Sequence, residues 1–419
     1  MNIYTPAAAR SQDEQNFHHL VMNAMWFGVA LAASTRFLSV FAIRSGATPL
    51  ELGLISALPG LMALATTTFL SRWWMRHFRD SVHAVFLPAL GVRLSFLLLA
   101  LTGFVPPQWR PAWIIFSVSV SAFAEGISAV VFTVMLREAV PQNRLTSLLS
   151  RRNIALNIVL GISILVFGYW LETAPFPANY QVMFAVGFMF TLISLWHVTR
   201  VRVNETTSLL NHQPDEAQPG RRAWRSPAFQ LVACAAAFMH VAFFSIVPVT
   251  PLRLVNELGA AEQFMALFGM VELAAAIAVS FVTSRFVARH GNRSLIAVSM
   301  VATGLAALVL ALSGSLPPTL LAAVLSGAGW TAATIGLFGY FTESTAPQDM
   351  PRFTAAYTQV IYLAIFIGPL VGSSLANGGA NLTAVLLLGA ALRLLAGVFT
   401  SAAGALTLRR LAVSFYIMQ

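Results

Sequence analysis

Five ionisable side chains, Arg36, Arg93, Glu125, Glu272 and Arg393, lie inside long apolar runs. In hydrocarbon each costs something like 2.5 to 3.5 kcal/mol on insertion scales, so each needs a partner or a task. At about 1.5 Å of rise per residue, Arg93 and Glu125 fall roughly halfway along adjacent runs, and Glu272 and Arg393 also match in depth. One chemistry open to them is ion pairing that specifies packing, with Arg93 and Arg393 as the buried partners. The other is proton exchange, because a carboxyl set between hydrocarbon and an arginine is suited to loading and releasing a proton. Glu125 and Glu272 are the candidates for that work.

Weaker candidates surround them. His240, midway along an apolar run, can titrate near neutral pH, although a lone histidine on such a helix is more often a packing residue. Trp330, Tyr357, Gln359 and Tyr362 are of types that stack on or hydrogen-bond a ligand, and equally of types that pack helices. His18 and His19 have no carboxylate or cysteine at metal-ligand spacing, so no metal site is expected.

The elements that must position these groups are membrane spans. The chain has 419 residues, 58% hydrophobic and 10% charged, with a mean hydropathy of +0.75. Soluble domains carry about 25% charged residues. The formal charge of +10 comes from arginines scattered between apolar runs, not gathered on one domain, so nucleic acid is not expected as a partner. All 25 basic residues are arginine, which removes a P-loop lysine and a Schiff-base lysine. Cys234 is the only cysteine, so an internal disulfide is impossible. The first residues lack the basic region and cleavage site of a signal peptide, so the first hydrophobic segment is expected to be retained.

Runs long enough for about 30 Å of hydrocarbon lie at roughly 20–43, 50–71, 83–104, 112–136, 153–172 and 180–199. Six more lie at roughly 228–250, 261–283, 295–314, 317–341, 354–376 and 382–406. The expected organisation is two six-span units, 1–202 and 227–419, joined by a polar linker at 203–226. Of the 25 arginines, 19 fall on the termini, the linker and the even-numbered connections, which places both termini in the cytoplasm.

The two units are copies of one another. Ser71 to Ser81 returns as Ser284 to Ser294, 213 residues later, and ten of 36 aligned positions are identical, including Gly46 with Gly259 and Ala47 with Ala260. The glutamate at 272 has Pro59 as its counterpart.

The connections after spans 2 and 8 resemble the signature loop of the major facilitator superfamily, roughly Gly-x-x-x-Asp-Arg-x-Gly-Arg-Arg. Arg289, Gly291 and Arg293 match it in the second copy, where Ala288 replaces the aspartate; Arg76 and Arg79 keep its character in the first. A further echo pairs Ala139-Val140-Pro141-Gln142-Asn143 with Thr345-Ala346-Pro347-Gln348-Asp349. The resemblance implies an all-α fold of twelve transmembrane helices in two pseudo-symmetric six-helix bundles, with spans 1, 4, 7 and 10 lining a central cavity and transport by rocking of the bundles. It implies that the loops bearing Arg72, Arg76, Arg79, Arg285, Arg289, Gly291 and Arg293 gate the cytoplasmic side. It also singles out Arg36 and Glu125, on spans 1 and 4: Arg36 for an anionic or polar group of the solute, Glu125 for proton coupling, with Glu272 in second place. His240, Trp330, Tyr357 and Gln359 join Arg36 as expected binding residues. Gly368, Pro369 and Gly372 on span 11 are expected to let helices approach closely.

The expected function is therefore secondary active transport of a small organic solute, proton-coupled, by a monomer in the cytoplasmic membrane, without a cofactor. An aromatic, weakly charged interior favours efflux of amphipathic compounds; three arginines against two glutamates favour carriage of an organic anion. A membrane-embedded lipid-modifying enzyme is the alternative from another class, against which stand the short outer loops and the lack of a histidine-acid cluster at a membrane face.

Overall fold

The computed structural model describes residues 12–78, 80–203, 223–346 and 349–417, with backbone alone at 72, 351–352 and 402–417. Among them the first half supplies α1 (Gln12–Arg44), α2 (Pro49–Leu70), α3 (Ser81–Phe104), α4 (Pro107–Ala139), α5 (Gln142–Thr173) and α6 (Ala178–Thr199). The second half opens with α7 (Pro227–Glu257), followed by a helix of 51 residues, Glu262–Leu312. At 1.5 Å per residue such a rod would run about 75 Å, more than twice the hydrocarbon thickness. It is broken at Gly291, where φ is 78° and ψ 166°, so it is two spans, α8 (262–290) and α9 (292–312). Next come α10 (Leu316–Glu343), α11 (Phe353–Asn377) and α12 (Leu382–Ser401), which completes the twelve.

Several helices outrun the apolar segments that announce them. The first turns of α5 carry Arg144, Arg151 and Arg152, and α1 starts at Gln12 with Asp13 and Glu14 in its first turn. Hydropathy locates the part of a helix that sits in lipid and misses polar turns that continue past it.

Local chemistry sets the breaks. Thr48 caps α2 with a reciprocal pair, its hydroxyl accepting from the Glu51 N–H and the Glu51 carboxylate accepting from the Thr48 N–H, and Pro49 follows in the first turn. Asp80 accepts from the His83 N–H at the start of α3. The turn from α1 to α2 uses Gly46 at φ 89°, and that from α7 to α8 uses Gly259 at φ 71°. These glycines align in the repeat because both turns need a left-handed residue.

Between the halves, α2 runs along α11 and α5 along α8. Small residues permit the approach: a methyl at Gly60 would lie 3.0 Å from the Tyr362 carbonyl, and Gly161 faces the Met270 sulfur. Along α8 the stripe that touches α5 begins at Ala266 and Met270, then continues to Ile277 and Phe281, which are 46% and 77% exposed. On α5, Ile154 lies two turns below Gly161 and is 56% exposed. Along α5 and α8 the halves thus meet near the face opposite the arginine-rich loops and part toward the loops, leaving a cleft on that side, whereas along α2 and α11 they stay together as far as Thr68 and Gln359.

Candidate solute-binding site

In α1 the helix loosens to π-helical geometry over Ala33–Phe37, a local widening that re-aims side chains and is frequent at functional sites. It turns Arg36 toward the other half. The Arg36 stem lies against Gly269 of α8, where a methyl would meet its Cδ at 2.7 Å. Its Nη1 reaches Glu272 Oε2 at 2.6 Å, an ion pair between the bundles in which the two side chains are 29% and 20% exposed. Ser326 of α10 donates to the other carboxylate oxygen at 3.1 Å.

The pair lies on the wall of a cavity of about 580 Å³, most of it inside the second half. One wall is aromatic. Trp330 stacks on Phe243 at 3.8 Å between ring centroids and meets Phe244 edge-on at 5.5 Å. Behind Trp330, His240 is buried at 5.2 Å, its Nδ1–H donating to the Ala236 carbonyl. Arg393 also lines the cavity, its guanidinium 4.5 Å above the Phe243 ring.

The expected buried ion pairs through Arg93 and Arg393 are replaced by another solution. Arg93 donates to the carbonyls of Thr191 at 2.8 Å and Ala89 at 2.5 Å and to the Ser194 hydroxyl at 3.2 Å, and it lies over Phe27. Arg393 donates to the carbonyls of Thr303, Phe243 and Ala242 at 2.9, 2.7 and 3.4 Å. Matching depth did not bring either arginine to a carboxylate within ion-pair distance, because depth says nothing of which way a residue points around its helix. Glu272 takes Arg36 instead. Glu125 is exposed on α4, within electrostatic reach of Tyr362 on α11, and makes no ion pair or hydrogen bond among the described residues. Its neighbour Gly126 packs on Thr66 and Ala63 of α2, which puts Glu125 near the seam between α2 and α11.

Of the remaining expected residues, Tyr357 is buried in the second half, stacked on Phe341 at 4.4 Å. Gln359 bridges the halves by donating to the Thr68 hydroxyl at 3.3 Å. Both lie off the cavity wall. On α11, a methyl at Gly368 would sit 2.8 Å from Phe244 Cβ, and Gly372 lies against the Ser245 carbonyl, so this segment packs on α7; Pro369, buried between them, has its carbonyl facing Gly53 of α2. In the loops, Arg293 donates to the Tyr340 hydroxyl at 2.7 Å while Asn292 donates to Glu343 at 2.6 Å, tying α9 to α10. Ser81 donates to Glu138 and ties α3 to α4 in the same way. Arg285, Arg289 and Gly291 are exposed, as is Arg76, which has contacts of its own. Arg79 and the side chain of Arg72 lie outside the described residues.

A second link between the halves lies at the opposite face, and sequence reasoning missed it. Arg44, at the end of α1, grips Glu262 at the start of α8 with two contacts of 2.5 and 2.8 Å, and the Tyr180 hydroxyl of α6 donates to the same carboxylate at 3.1 Å. Nearby, the Gln263 N–H donates to Glu172 of α5 at 3.3 Å. Each of these residues sits at a helix end, where a charge needs no explanation. Only the strict shortness of the connections hinted that such ends must meet.

The family model described as the Major Facilitator Superfamily matches residues 25–369 and, overlapping, 232–411. Among solved structures, the nucleoside transporter NupG superposes with a TM-score of 0.70 at 12% identity, covering 94% of this chain and 99% of that one. A bacterial homologue of the iron transporter ferroportin in an inward-facing state gives 0.71 at 12% identity over 93% and 98%. A peptide transporter of the POT family gives 0.68 at 14% over 92% and 96%. No curated protein sequence matches the chain. Nucleoside and peptide transporters and a homologue of an iron transporter on one scaffold mean that similarity at this level carries the fold and leaves the cargo open.

Proposed function

Because the chain belongs to the Major Facilitator Superfamily, we propose that it moves a small organic solute across the cytoplasmic membrane by alternating access, coupled to protons. The observation that carries this reading is the Arg36–Glu272 pair, which joins the two bundles on the wall of a cavity large enough for a small ligand. The pair is partly buried, so leaving either charge there without a partner is unfavourable, by less than the roughly 3 to 5 kcal/mol of a fully buried pair. The halves can separate there only if something replaces the lost partner, and a proton on Glu272 or a group of the solute on Arg36 would do so. Glu125, near the α2–α11 seam and without a counter-ion among the described residues, is the second proton site.

In this reading the bundles are 1–202 and 227–419, the linker at 203–226 and both termini are cytoplasmic, and the monomer is the working unit. The aromatic wall favours amphipathic solutes and export. The excess of arginine supports the second reading, carriage of an organic anion. Flux in liposomes under an imposed pH gradient tests the proposal: Glu125→Gln and Glu272→Gln should each abolish gradient-driven movement and spare solute exchange. Gradient-driven flux unchanged in both variants would remove the proton coupling proposed here.

A further inference from the structure

We propose that the solute is an aromatic organic anion, whose anionic group takes Arg36 from Glu272 while its ring lies against Phe243, Phe244 and Trp330; as a statement about cargo it rests on the carrier reading above.

Charge supplies the first argument. Three charged side chains reach the cavity, Arg36, Arg393 and Glu272, which leaves one positive charge in excess. The carbonyls that hold Arg393 orient it and do not neutralise it. One anionic group balances the site, whereas a cation would add to the excess and would have to compete for a carboxylate already held by Arg36 and Ser326.

Geometry supplies the second. The two members of the ion pair are not equally replaceable. If Arg36 lets go, Glu272 keeps the Ser326 hydroxyl and stays in the field of Arg393. Arg36 has no other acceptor among the described residues, so it is the member that requires a substitute. A guanidinium presents parallel N–H groups that match a carboxylate or similar oxyanion in two-point contact. With the Arg36 side chain still 29% exposed, a ligand can approach it without first opening the bundle.

The third argument is the wall beside the pair. The Trp330 and Phe243 rings stack at an interplanar angle of 19°, with Phe244 set against Trp330 at 90°, so this side of the cavity is a continuous aromatic surface suited to a flat apolar body. Aliphatic anions would leave that surface wet.

Equilibrium binding to the purified full chain tests the class, with 2-naphthoate, 2-naphthamide and 2-naphthylmethylammonium as probes and calorimetry as the readout. Naphthoate should bind at least about tenfold more tightly than either of the others. Arg36→Gln should lose that preference, and Arg36→Lys should retain part of it. Glu272→Gln removes the internal competitor and should tighten naphthoate binding, a gain that misfolding cannot produce. The proposal is overturned if the amide or the ammonium compound binds as well as naphthoate, if naphthoate fails to bind at millimolar concentration, or if Glu272→Gln weakens its binding. Selective binding of naphthoate without any gradient-driven flux would sink the carrier reading and leave this one standing. Gradient-driven flux restricted to neutral or cationic solutes would do the reverse.

Discussion

In the first half an arginine on α3, Arg93, reaches the Thr191 carbonyl on α6 and lies over Phe27 of α1. In the second half the arginine stands on α12, and Arg393 reaches back to the Thr303 carbonyl on α9 and lies over Phe243 of α7. The corresponding helix pair is clamped in both, with donor and acceptor exchanged. Holding two helices together needs a guanidinium and a carbonyl and is indifferent to which helix gives which. What the exchange changes is the surroundings: Arg393 lines the cavity beside Glu272, whereas Arg93 does not, and the repeat counterpart of Glu272 is Pro59. Duplication fixed the mechanics of the halves and left their charges free to diverge.

The strongest way to break this comparison is to remove each clamp. Arg393→Met strands three carbonyls and should cost on the order of 3 kcal/mol or more in thermal unfolding, with loss of ligand binding. Arg93→Met should cost a similar amount and leave binding intact in the protein that still folds; equal damage to binding would show that the halves are not specialised. Moving the donor in the second half to the arrangement of the first, with Arg393→Thr and Thr303→Arg together, should recover stability without recovering binding.

A smaller effect is expected where the halves meet at the far face. Glu262→Gln weakens the contacts from Arg44 and Tyr180 by about 1.5 to 3 kcal/mol. In a Cys234→Ala background, a cysteine introduced at Ser39 should then react faster with an impermeant thiol reagent added from that face. Smallest are the repeated turns. Gly46→Ala and Gly259→Ala both force a side chain into left-handed backbone and should each cost about 1 kcal/mol, equal within error if the duplicated turns are equivalent.

The span count, the duplication and the membrane-embedded charges were legible in the sequence because hydropathy and charge are read along the chain. Direction around a helix was not. In α3 and α4 nearly every face is apolar, since lipid and neighbouring helices accept the same side chains, so nothing in the pattern told whether Arg93 pointed at Glu125 or at α6. The Arg36 to Glu272 pair depends on a π-helical turn at Ala33–Phe37 that has no proline or glycine to mark it. Tyr357 and Gln359 have suitable chemistry, yet Tyr357 turns to Phe341 and Gln359 to Thr68 rather than to the cavity beside Arg36. The duplicated Gly-Ala, by contrast, was visible twice, and its reason is a backbone angle that a single residue type supplies.

One carboxylate, Glu262, receives both Arg44 and Tyr180. Losing that one carboxylate releases both donors at once, while the neighbouring Gln263 to Glu172 contact remains a separate link between the halves. Two of the links at this face thus fail together at Glu262, so substitutions there should alter how fast the protein turns over while leaving its choice of cargo unchanged.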